Sequence, residues 1–507
     1  MSLEGWLDPL HDAESMRATD AWAIAEQGIP SLALMERAGA GLAAVVAERT
    51  TEGRILIACG KGNNGGDGLV AARLLREQGW EVDVRCTAAP EALEGDPRAN
   101  LERLPGDPPA AWEASAAPAA ATIVDALLGT GFDGEPREPV AGAIEAINAS
   151  GATVVAADVP SGVNAASGAV AGAAVRAQAT VTFHAPKIGL WVNPGKRHAG
   201  EVCVVDIGIG PGAPAEPAAG LISERITAEI PVRAAGATKF SEGAVVVAGG
   251  SAGLTGAPSL AAEAAARAGA GYVTACIPGS LRLIFELRLL EAMTRALPDD
   301  DGSLTPAALE PLLEAAQRAD AVVLGPGLGR GEGAAELARA AALELDAPLL
   351  LDADGLNAHA GRLADLAGRS APTVLTPHAG ELGRLLEIES TAVEADRLHH
   401  ARAAAEASQA AVILKGDDTL VVAPGGRLAV SPGASAGLAT AGTGDVLSGA
   451  TGAMLAKGLD PFTAAAAAVW LHAAAGRRAA RERGPGGVIA RDVIDALPHG
   501  LPGRPII

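Results

Sequence analysis

Residues 435–454 read SAGLATAGTGDVLSGATGAM, and this stretch decides how the second half of the chain folds. A glycine turn at 442–444 precedes Asp445, and apolar residues then recur at helical spacing. Such a turn leaves backbone N–H groups at the positive end of the helix dipole, where anions bind. Asp445 either caps this helix or takes a proton from a hydroxyl that attacks a phosphoryl group. The stretch alone leaves both interpretations open.

The composition limits the classes of protein to which the chain can belong. Its 507 residues exceed one ordinary core, so we expect two or three domains. Aromatic residues make up only 2% of the chain and the net charge is −21, so we expect no nucleic-acid partner. An anionic small molecule can still bind where glycine-rich backbone surrounds it.

The cysteines and the N-terminus point to an ordinary cytoplasmic protein. Cys59, Cys86, Cys203 and Cys276 have no CxxC spacing, so we expect neither a zinc site nor a disulfide framework. The N-terminus lacks a basic region followed by an apolar run. No apolar segment approaches the ~20 residues that span a bilayer, so we expect no membrane partner.

The first half begins with the pattern of a parallel βαβ unit. A strand over 54–59 leads into a glycine-rich loop at 60–68, a helix over 69–78 and a strand over 81–86. The loop contains GxGxxG, which alone is weak evidence for dinucleotide binding. Its Asn63-Asn64 pair and Asp67 suit a polar ligand or a hard cation better. The alternative is a tight turn in which asparagine and glycine adopt positive φ angles.

Later strands of the first half also end in polar residues. Asp125 lies in the run 122–128, Asp158 ends the run 153–158, and Lys187 follows the run 179–183. Open α/β sheets bind ligands at the carboxyl ends of their strands. Each residue alone can be a structural charge, but three together indicate a site.

The motifs GKGNNGGDGLVAARLL, DALLGTGF, DVPSGVNAASG and TFHAPKIGL, in this order, closely resemble the NAD(P)H-hydrate epimerase domain. The resemblance covers about residues 10–210 and implies a Rossmann-like three-layer αβα fold. It implies that Asn64, Asp125 and Ser161 hold K⁺ and that Asp158 is the candidate acid/base residue. The implied substrate-binding residues are Asn63, Asn64, Gly65, Gly66, Asp67, Gly129, Thr130, Gly131, Phe132, Asp133, Gly134, Glu135 and Asp158.

The second half repeats the strand–loop–helix pattern after a Pro/Gly/Ala stretch at 210–217. Its motifs GPGLGR, LDADGLN, LTPHAGELGRLL, ILKGDDT and AGTGDVLSG resemble the NAD(P)H-hydrate dehydratase domain, which has a ribokinase-like fold. The match covers about residues 235–500. It implies that Ala257, Gly327, His378 and Asp445 face the hydrated nicotinamide nucleotide. The implied adenine-nucleotide residues are Lys415, Gly416, Asp417, Asp418, Thr419 and Gly444.

We therefore predict an α/β chain with an epimerase domain at 1–212, a linker at 213–234 and a ribokinase-like dehydratase domain at 235–507. The resemblance implies that the chain interconverts the R and S hydrates of NADH and NADPH (NADHX and NADPHX). It also implies that ADP, giving AMP and phosphate, drives dehydration of the S form. Mg²⁺ is the expected metal there, ATP is the other nucleotide the family allows, and a homo-oligomer is expected. The alternative is a ribokinase-like kinase of a vitamin precursor with a non-catalytic N-terminal interaction domain.

Overall fold

The computed structural model describes residues 3–112, 117–214, 217 and 219–503. Its contacts divide the chain into two compact units, the first mainly residues 9–220 and the second mainly residues 221–503. Residues 4–8 belong to the second unit. The predicted borders at 212 and 235 stay predictions, and residues 215, 216 and 218 of the predicted linker lie outside the described residues.

The elements of the first part of the chain alternate between strands and helices. In chain order they are β1 (Leu7–Leu10), α1 (Ala13–Ala25), α2 (Ser31–Arg49), β2 (Ile55–Cys59), α3 (Asn63–Glu77), β3 (Val82–Cys86), α4 (Gly95–Glu102), β4 (Ala110–Ala111), β5 (Thr122–Ala126), α5 (Val140–Ala149), β6 (Thr153–Ala157), β7 (Ala179–Phe183), α6 (Gly195–Ala199) and β8 (Glu201–Val205).

The same alternation continues in the second part. The elements are β9 (Ala219–Ile222), β10 (Ala244–Ala248), α7 (Gly256–Arg267), β11 (Tyr272–Pro278), α8 (Arg282–Arg288), β12 (Met293–Leu297), β13 (Asp299–Asp300), β14 (Ser303–Leu304), α9 (Leu309–Ala316), β15 (Ala321–Leu324), α10 (Glu332–Glu344), β16 (Leu349–Leu351), α11 (Asp354–Asn357), β17 (Thr373–Leu375), α12 (Ala379–Leu386), α13 (Ser390–Ala395), α14 (Arg397–Ser408), β18 (Ala411–Leu414), β19 (Leu420–Val422), β20 (Leu428–Val430), α15 (Thr443–Ala456), α16 (Pro461–Arg483) and α17 (Ala490–Ala496).

The first unit is built on a parallel sheet with the order β4-β3-β2-β5-β6-β7-β8. Chain order reverses between β2 and β5, as in doubly wound Rossmann-like sheets, so the loops after these two strands separate and leave a crevice. Alternate residues of β2 face two different cores. Ile55 and Ile57 pack with α2 and α3, whereas Leu56 and Ala58 pack with α5. The unit therefore has three layers, which confirms the predicted αβα fold.

The second unit is built on an eleven-stranded sheet with the order β1-β9-β20-β19-β18-β17-β16-β15-β10-β11-β12. Strands β10 to β12 and β15 to β18 are parallel, whereas β19 and β20 pair antiparallel. Every residue of β15, β16 and β18 is buried, as expected for strands covered on both faces. Chain order reverses between β10 and β15. The predicted second α/β domain is confirmed.

The structure differs from the sequence prediction in two places. The predicted loop at 60–68 is partly helical, because α3 begins at Asn63. Part of the predicted linker at 213–234 is folded, because it includes β9 and a 3₁₀ helix at Glu224–Glu229. Glycines usually indicate turns, but Gly65 lies in the first turn of α3, where the backbone approaches Gly60 closely. A Cβ on Gly65 would lie 2.0 Å from the carbonyl oxygen of Gly60.

Two sequence predictions, on disulfide bonds and on membrane-spanning helices, can be compared with the described residues. All four cysteines are free thiols, and three of them are buried in the sheets. In the described ranges, no helix combines the length and the apolar character that crossing a bilayer requires.

Candidate active sites

A cavity of about 1100 Å³ opens at the crevice between β2 and β5 of the first unit. Its wall includes most of the predicted epimerase residues: Asn63, Asn64, Asp67, Gly129, Thr130, Gly131, Phe132, Asp133, Gly134, Glu135 and Asp158. Gly65 and Gly66 do not line it. Gly66 lies against Met35 instead, where a Cβ would come within 2.6 Å of the sulfur atom. The sheet topology therefore gathers the strand-end motifs at one place.

Asp158 is held by two partners at the floor of this cavity. Its Oδ1 lies 2.8 Å from Nζ of Lys187, and its Oδ2 accepts hydrogen bonds from the Thr130 backbone N–H and hydroxyl at 2.8 and 2.6 Å. Burial alone would raise the pKa of this carboxyl, but Lys187 and the Thr130 hydrogen bonds hold it below the ordinary value. Asp158 is therefore a fixed anion.

Asn64, Asp125 and Ser161 lie together behind Asp158. The Ser161 hydroxyl donates to Oδ1 of Asp125 at 2.6 Å, and the Ser161 N–H donates to Oδ2 at 2.8 Å. The Asn64 amide donates to the carbonyl of Leu128 at 2.7 Å, while its buried Oδ1 has no hydrogen-bond partner in the part of the chain that the structure describes. Burial raises the pKa of Asp125 to about 6. Each of the three predicted ligands thus makes a hydrogen bond to the segment 127–128.

Asp67 differs from Asp158 because its carboxyl group has no ion pair or side-chain hydrogen bond among the described residues. It is 8% exposed and lines the cavity from the second turn of α3. Burial, followed by the negative charges of Asp158 and Asp20, raises its pKa well above the ordinary value, against the effect of Lys187. Asp67 therefore keeps its proton more readily than an ordinary aspartate does.

In the second unit, the predicted glycine turn and helix are confirmed. Gly442 has φ of 89°, and α15 begins at Thr443, so Asp445 lies in its first turn. Burial raises the pKa of Asp445 to about 7, and the charges of Asp352 and Glu381 add to this effect, against Lys415. A carboxyl group with this pKa can accept a proton near neutral pH.

Lys415 and Asp352 form the charged centre beside Asp445. Nζ of Lys415 lies 3.0 Å from Oδ1 of Asp352 and 3.5 Å from Oε2 of Glu381. The Ser448 hydroxyl donates to Oδ2 of Asp352 at 2.7 Å and so connects this centre to α15. Burial would raise the pKa of Asp352, but Lys415 and the hydrogen bonds lower it. Asp352 stays ionised, and its charge makes ionisation of Asp445 costly.

His378 caps the N-terminus of α12 with its ring. Nδ1 accepts hydrogen bonds from the N–H groups of Gly380 and Glu381 at 3.0 and 3.3 Å, so this nitrogen carries no proton. Burial lowers the pKa of His378. The Glu381 carboxylate accepts from the His378 N–H at 2.9 Å in return. The neutral imidazole therefore carries its proton on Nε2, which lies 3.6 Å from Oε1 of Glu381.

The remaining predicted residues of the second unit fall into two groups. Gly327 has φ of 61° and lies next to Ala257 at the start of α7, where a Cβ on the glycine would come within 3.3 Å of the Ala257 Cβ. The segment Lys415–Thr419 is a tight turn, in which the Thr419 hydroxyl donates to the Gly416 carbonyl at 2.6 Å. Its other members are Asp417, which is exposed, and Asp418, which is buried. A Cβ on Gly444 would lie 3.7 Å from Nζ of Lys415, so the turn and α15 meet.

Sequence reasoning missed several residues of these sites. Asp20 lines the first cavity from α1, where no motif marks it, and Lys187 was seen only as a strand-end charge. Asp352 and Glu381 belong to quoted motifs, LDADGLN and PHAGE, but were not selected. The available signal was that Asp352 directly follows β16, and that Glu381 lies in the first turn of α12, the helix after β17.

Two sheets with polar strand ends, each with a buried carboxyl group, define a two-domain α/β enzyme. Residues 245–499 match the family model described as NAD(P)H-hydrate dehydratase, and residues 31–189 match that of the YjeF-related protein N-terminus. A bifunctional NAD(P)H-hydrate repair enzyme of Salinibacter ruber is 42% identical over 98% of this chain and 96% of its own length. That of Moorella thermoacetica is 41% identical over 96% of both chains. The chain belongs to the family of bifunctional NAD(P)H-hydrate repair enzymes.

A solved structure also resembles part of this chain. The ADP/ATP-dependent NAD(P)H-hydrate dehydratase of Bacillus subtilis, co-crystallised with ATP and Mg²⁺, is 29% identical to the chain with a TM-score of 0.49. The match covers 55% of this chain and 96% of that one.

Proposed function

We propose that this chain restores NADH and NADPH from their hydrates in two steps. The first unit interconverts the R and S hydrates, and the second unit dehydrates the S form at the expense of ADP. The observation that carries the second step is Asp445, a half-buried carboxyl group with a pKa of about 7 in the first turn of a helix. The family of the chain supports both steps.

Asp445 acts as the general base of the dehydratase. Hydroxide is a poor leaving group, whereas phosphate is a good one. Asp445 takes the proton of the ring hydroxyl, whose oxygen attacks the terminal phosphoryl group of ADP and displaces AMP. The C–O bond then breaks, phosphate carries the oxygen away, and the neighbouring ring carbon loses a proton. Water is thereby removed, while ADP becomes AMP and phosphate.

The nucleotide lies between the Lys415–Thr419 turn and the N-terminus of α15. Backbone N–H groups of Gly444 and its neighbours can receive phosphoryl oxygens there, as helix N-termini do. Lys415 is already ion-paired with Asp352, so we assign it the role of balancing charge between that carboxylate and the phosphates. Ala257, Gly327 and His378 bind the hydrated nicotinamide nucleotide.

Mg²⁺ belongs to this proposal as a companion of the nucleotide. Within the part of the chain that the structure describes, no group of three or more His, Cys, Asp or Glu side chains forms a metal cage. Mg²⁺ commonly binds through substrate phosphates and waters with few protein ligands, so the residues present fit an ion brought by ADP. The ion would neutralise charge on the phosphoryl oxygens.

K⁺ fits Asn64, Asp125 and Ser161 of the first unit. Asn64 has a buried oxygen atom with no hydrogen-bond partner among the described residues, and Asp125 is a fully buried carboxyl group. Oxygen donors of this kind suit a hard cation. A cation at Asn64, Asp125 and Ser161 would favour ionised Asp125. The loop 129–135, the segment 63–67 and Asp158 bind the substrate above it.

Recovery of reduced-nicotinamide absorbance from mixed hydrates tests the function. Wild type with ADP should restore all of the absorbance, because the epimerase feeds the dehydratase. Asp445→Asn should restore none, although it should still exchange the epimers. A stable phosphorylated product of a vitamin-like alcohol, with no absorbance recovered, would instead favour the kinase. Replacing ADP by ATP decides which nucleotide the second unit uses.

Two further parts of the proposal concern the oligomeric state of the protein and its location in the cell. We propose that it forms a homo-oligomer and acts in the cytoplasm. Light scattering during size-exclusion chromatography tests the first statement, since it gives the mass of the particle in solution. Fractionation of the cells that make the protein tests the second.

A further inference from the structure

Three of the carboxyl groups that line the cavity of the first unit act on one another and on Lys187. Asp20 reaches the cavity from α1, Asp67 from α3 and Asp158 from the end of β6, and Lys187 lines the same cavity. Burial and the nearby charge of Asp158 favour the neutral form at one or more of these carboxyl groups.

The hydrogen bonds decide which carboxyl group that is. Asp158 has Lys187 on one oxygen and two Thr130 donors on the other, so it is the fixed anion. Lys187 also donates to the Thr182 hydroxyl and the Phe183 carbonyl at 2.9 and 2.8 Å, which fixes the ammonium group. This arrangement leaves Asp158 without a proton to donate.

Asp67 and Asp20 have no such partners. Across the described residues, 3–112, 117–214, 217 and 219–503, neither carboxyl group takes part in an ion pair or a side-chain hydrogen bond. Asp67 is 8% exposed, yet it lines the cavity, so its free carboxyl group faces the space that receives the substrate. Burial raises the pKa of both groups, and the charge of Asp158 adds to the effect.

We propose that Asp67 is the proton donor and Asp20 the proton acceptor of epimer exchange, and that Asp158 is a positioning residue. The inference rests on the proposed epimerase function. It moves the acid/base role away from Asp158, to which the strand-end motif pointed. Asp158 instead holds Lys187 and the Thr130 segment at the wall of the cavity.

The chemistry needs one acid and one base. The reduced nicotinamide ring contains an enamine, so hydration places the hydroxyl on the carbon next to the ring nitrogen. Asp67 gives its proton to this hydroxyl, the C–O bond breaks, and water leaves while the nitrogen lone pair forms a C=N bond. Water adds to the opposite face of the carbon and gives a proton to Asp20. The two carboxyl groups exchange roles in the reverse direction, and solvent resets their protons.

Exchange of a single purified epimer tests this assignment in the full chain. Asp67→Asn and Asp20→Asn should each lower kcat by about 100-fold or more, the usual contribution of general acid–base catalysis. Asp67→Glu should recover part of the rate. Asp107→Asn, which changes an exposed aspartate of the same unit, is the matched control. ADP-dependent dehydration of the purified S hydrate, measured on each variant, reports that the second unit stays intact.

Two readouts separate the donor from the positioning residue. Wild-type exchange should fall as pH rises and Asp67, which faces Asp20, Asp158 and Lys187, loses its proton. Asp67→Asn should lose this dependence, whereas Asp158→Asn should be slower but keep it. Exchange in ¹⁸O-labelled water should place the label in the ring hydroxyl at the rate of inversion.

The possible results separate failure of the epimerase function from failure of the assignment of Asp67 and Asp20. Wild-type protein that exchanges no epimers refutes the epimerase function and this assignment with it. Active wild type with an equally active Asp67→Asn refutes the assignment alone, as does inversion without ¹⁸O uptake. Loss of the pH dependence in Asp158→Asn, with the dependence kept in Asp67→Asn, returns the donor role to Asp158.

Discussion

Asp445→Asn should abolish dehydration and at the same time make the protein more stable above neutral pH. The substitution keeps the shape of the side chain but removes its charge. In the wild type that charge is unfavourable, because Asp445 is partly buried and lies near the carboxyl groups of Asp352 and Glu381. A general base placed in this way gains its proton affinity at the expense of fold stability.

The size of the effect follows from proton linkage. The pKa of Asp445 is about 7 in the folded chain, against 3.8 as its ordinary value. Between these two values the folded state binds a proton that the unfolded state has lost, so stability falls as pH rises through this window. At about 1.4 kcal/mol for each pKa unit, the full cost above pH ~7 is on the order of 4 kcal/mol. The asparagine variant does not carry this cost.

Calorimetric unfolding of the full chain at a series of pH values measures the effect. The melting temperature of Asp445→Asn should match that of wild type near pH 4 and exceed it increasingly up to pH ~7, with no further gain above that value. Asp300→Asn, at an exposed aspartate of the same unit, should follow wild type throughout.

Two results would contradict this reasoning. A variant that is no more stable than wild type at pH 8 would mean that the charge of Asp445 is not unfavourable in the folded chain. A variant that still dehydrates the S hydrate with ADP would remove Asp445 from the role of general base.

Substitutions at three positions probe the ion pairs and the cavity wall. Lys187→Met leaves Asp158 buried and without its ion pair, so the free energy of unfolding should fall by ~3–5 kcal/mol at neutral pH. The loss should be smaller in acid, where Asp158 is protonated. Thermal melts at both pH values measure it. Gly129→Ala puts a Cβ 3.1 Å from Oδ2 of Asp158 and 3.2 Å from Asn64. The rate of epimer exchange should therefore fall by about 10-fold or more. The rate of dehydration of the S hydrate should be unchanged. Lys415→Met removes the positive charge beside Asp352, so it should abolish dehydration but leave epimer exchange unchanged. Lys415→Arg keeps the positive charge and should retain part of the dehydratase activity.

The sequence predicted the fold class because buried parallel strands leave a strong pattern. Apolar runs such as 54–59 and 349–351 are followed directly by glycine or aspartate. This change in residue type marks the carboxyl end of each strand. Such ends meet at one edge of a parallel sheet, so the motifs could be placed near one another without coordinates. The start of α3 was missed because glycines usually signal turns, whereas here they permit a close helix–strand contact.

Side-chain partners could not be predicted in the same way. Asp20 lies on a helix that carries no motif, and only the folded chain brings it to the cavity of Asp67. Lys187 is remote in sequence from Asp158, so the ion pair between them has no local pattern. The orientation of His378 depends on a capping arrangement with Glu381 that the sequence suggests but does not determine.

The comparison of Asp158 with Asp445 shows why protonation is harder to predict than position. Both were selected from the sequence as acid/base candidates, each next to a glycine-containing segment, and both lie in the predicted sites. Asp158 has a lysine at 2.8 Å and two hydrogen-bond donors, which keep its pKa low. Burial and the neighbouring carboxyl groups of Asp352 and Glu381 raise the pKa of Asp445 to about 7, against the effect of Lys415, which is itself paired with Asp352. Motifs locate a carboxyl group, but the balance between burial and neighbouring charge decides whether it can exchange a proton, and that balance is set by residues distant in the chain.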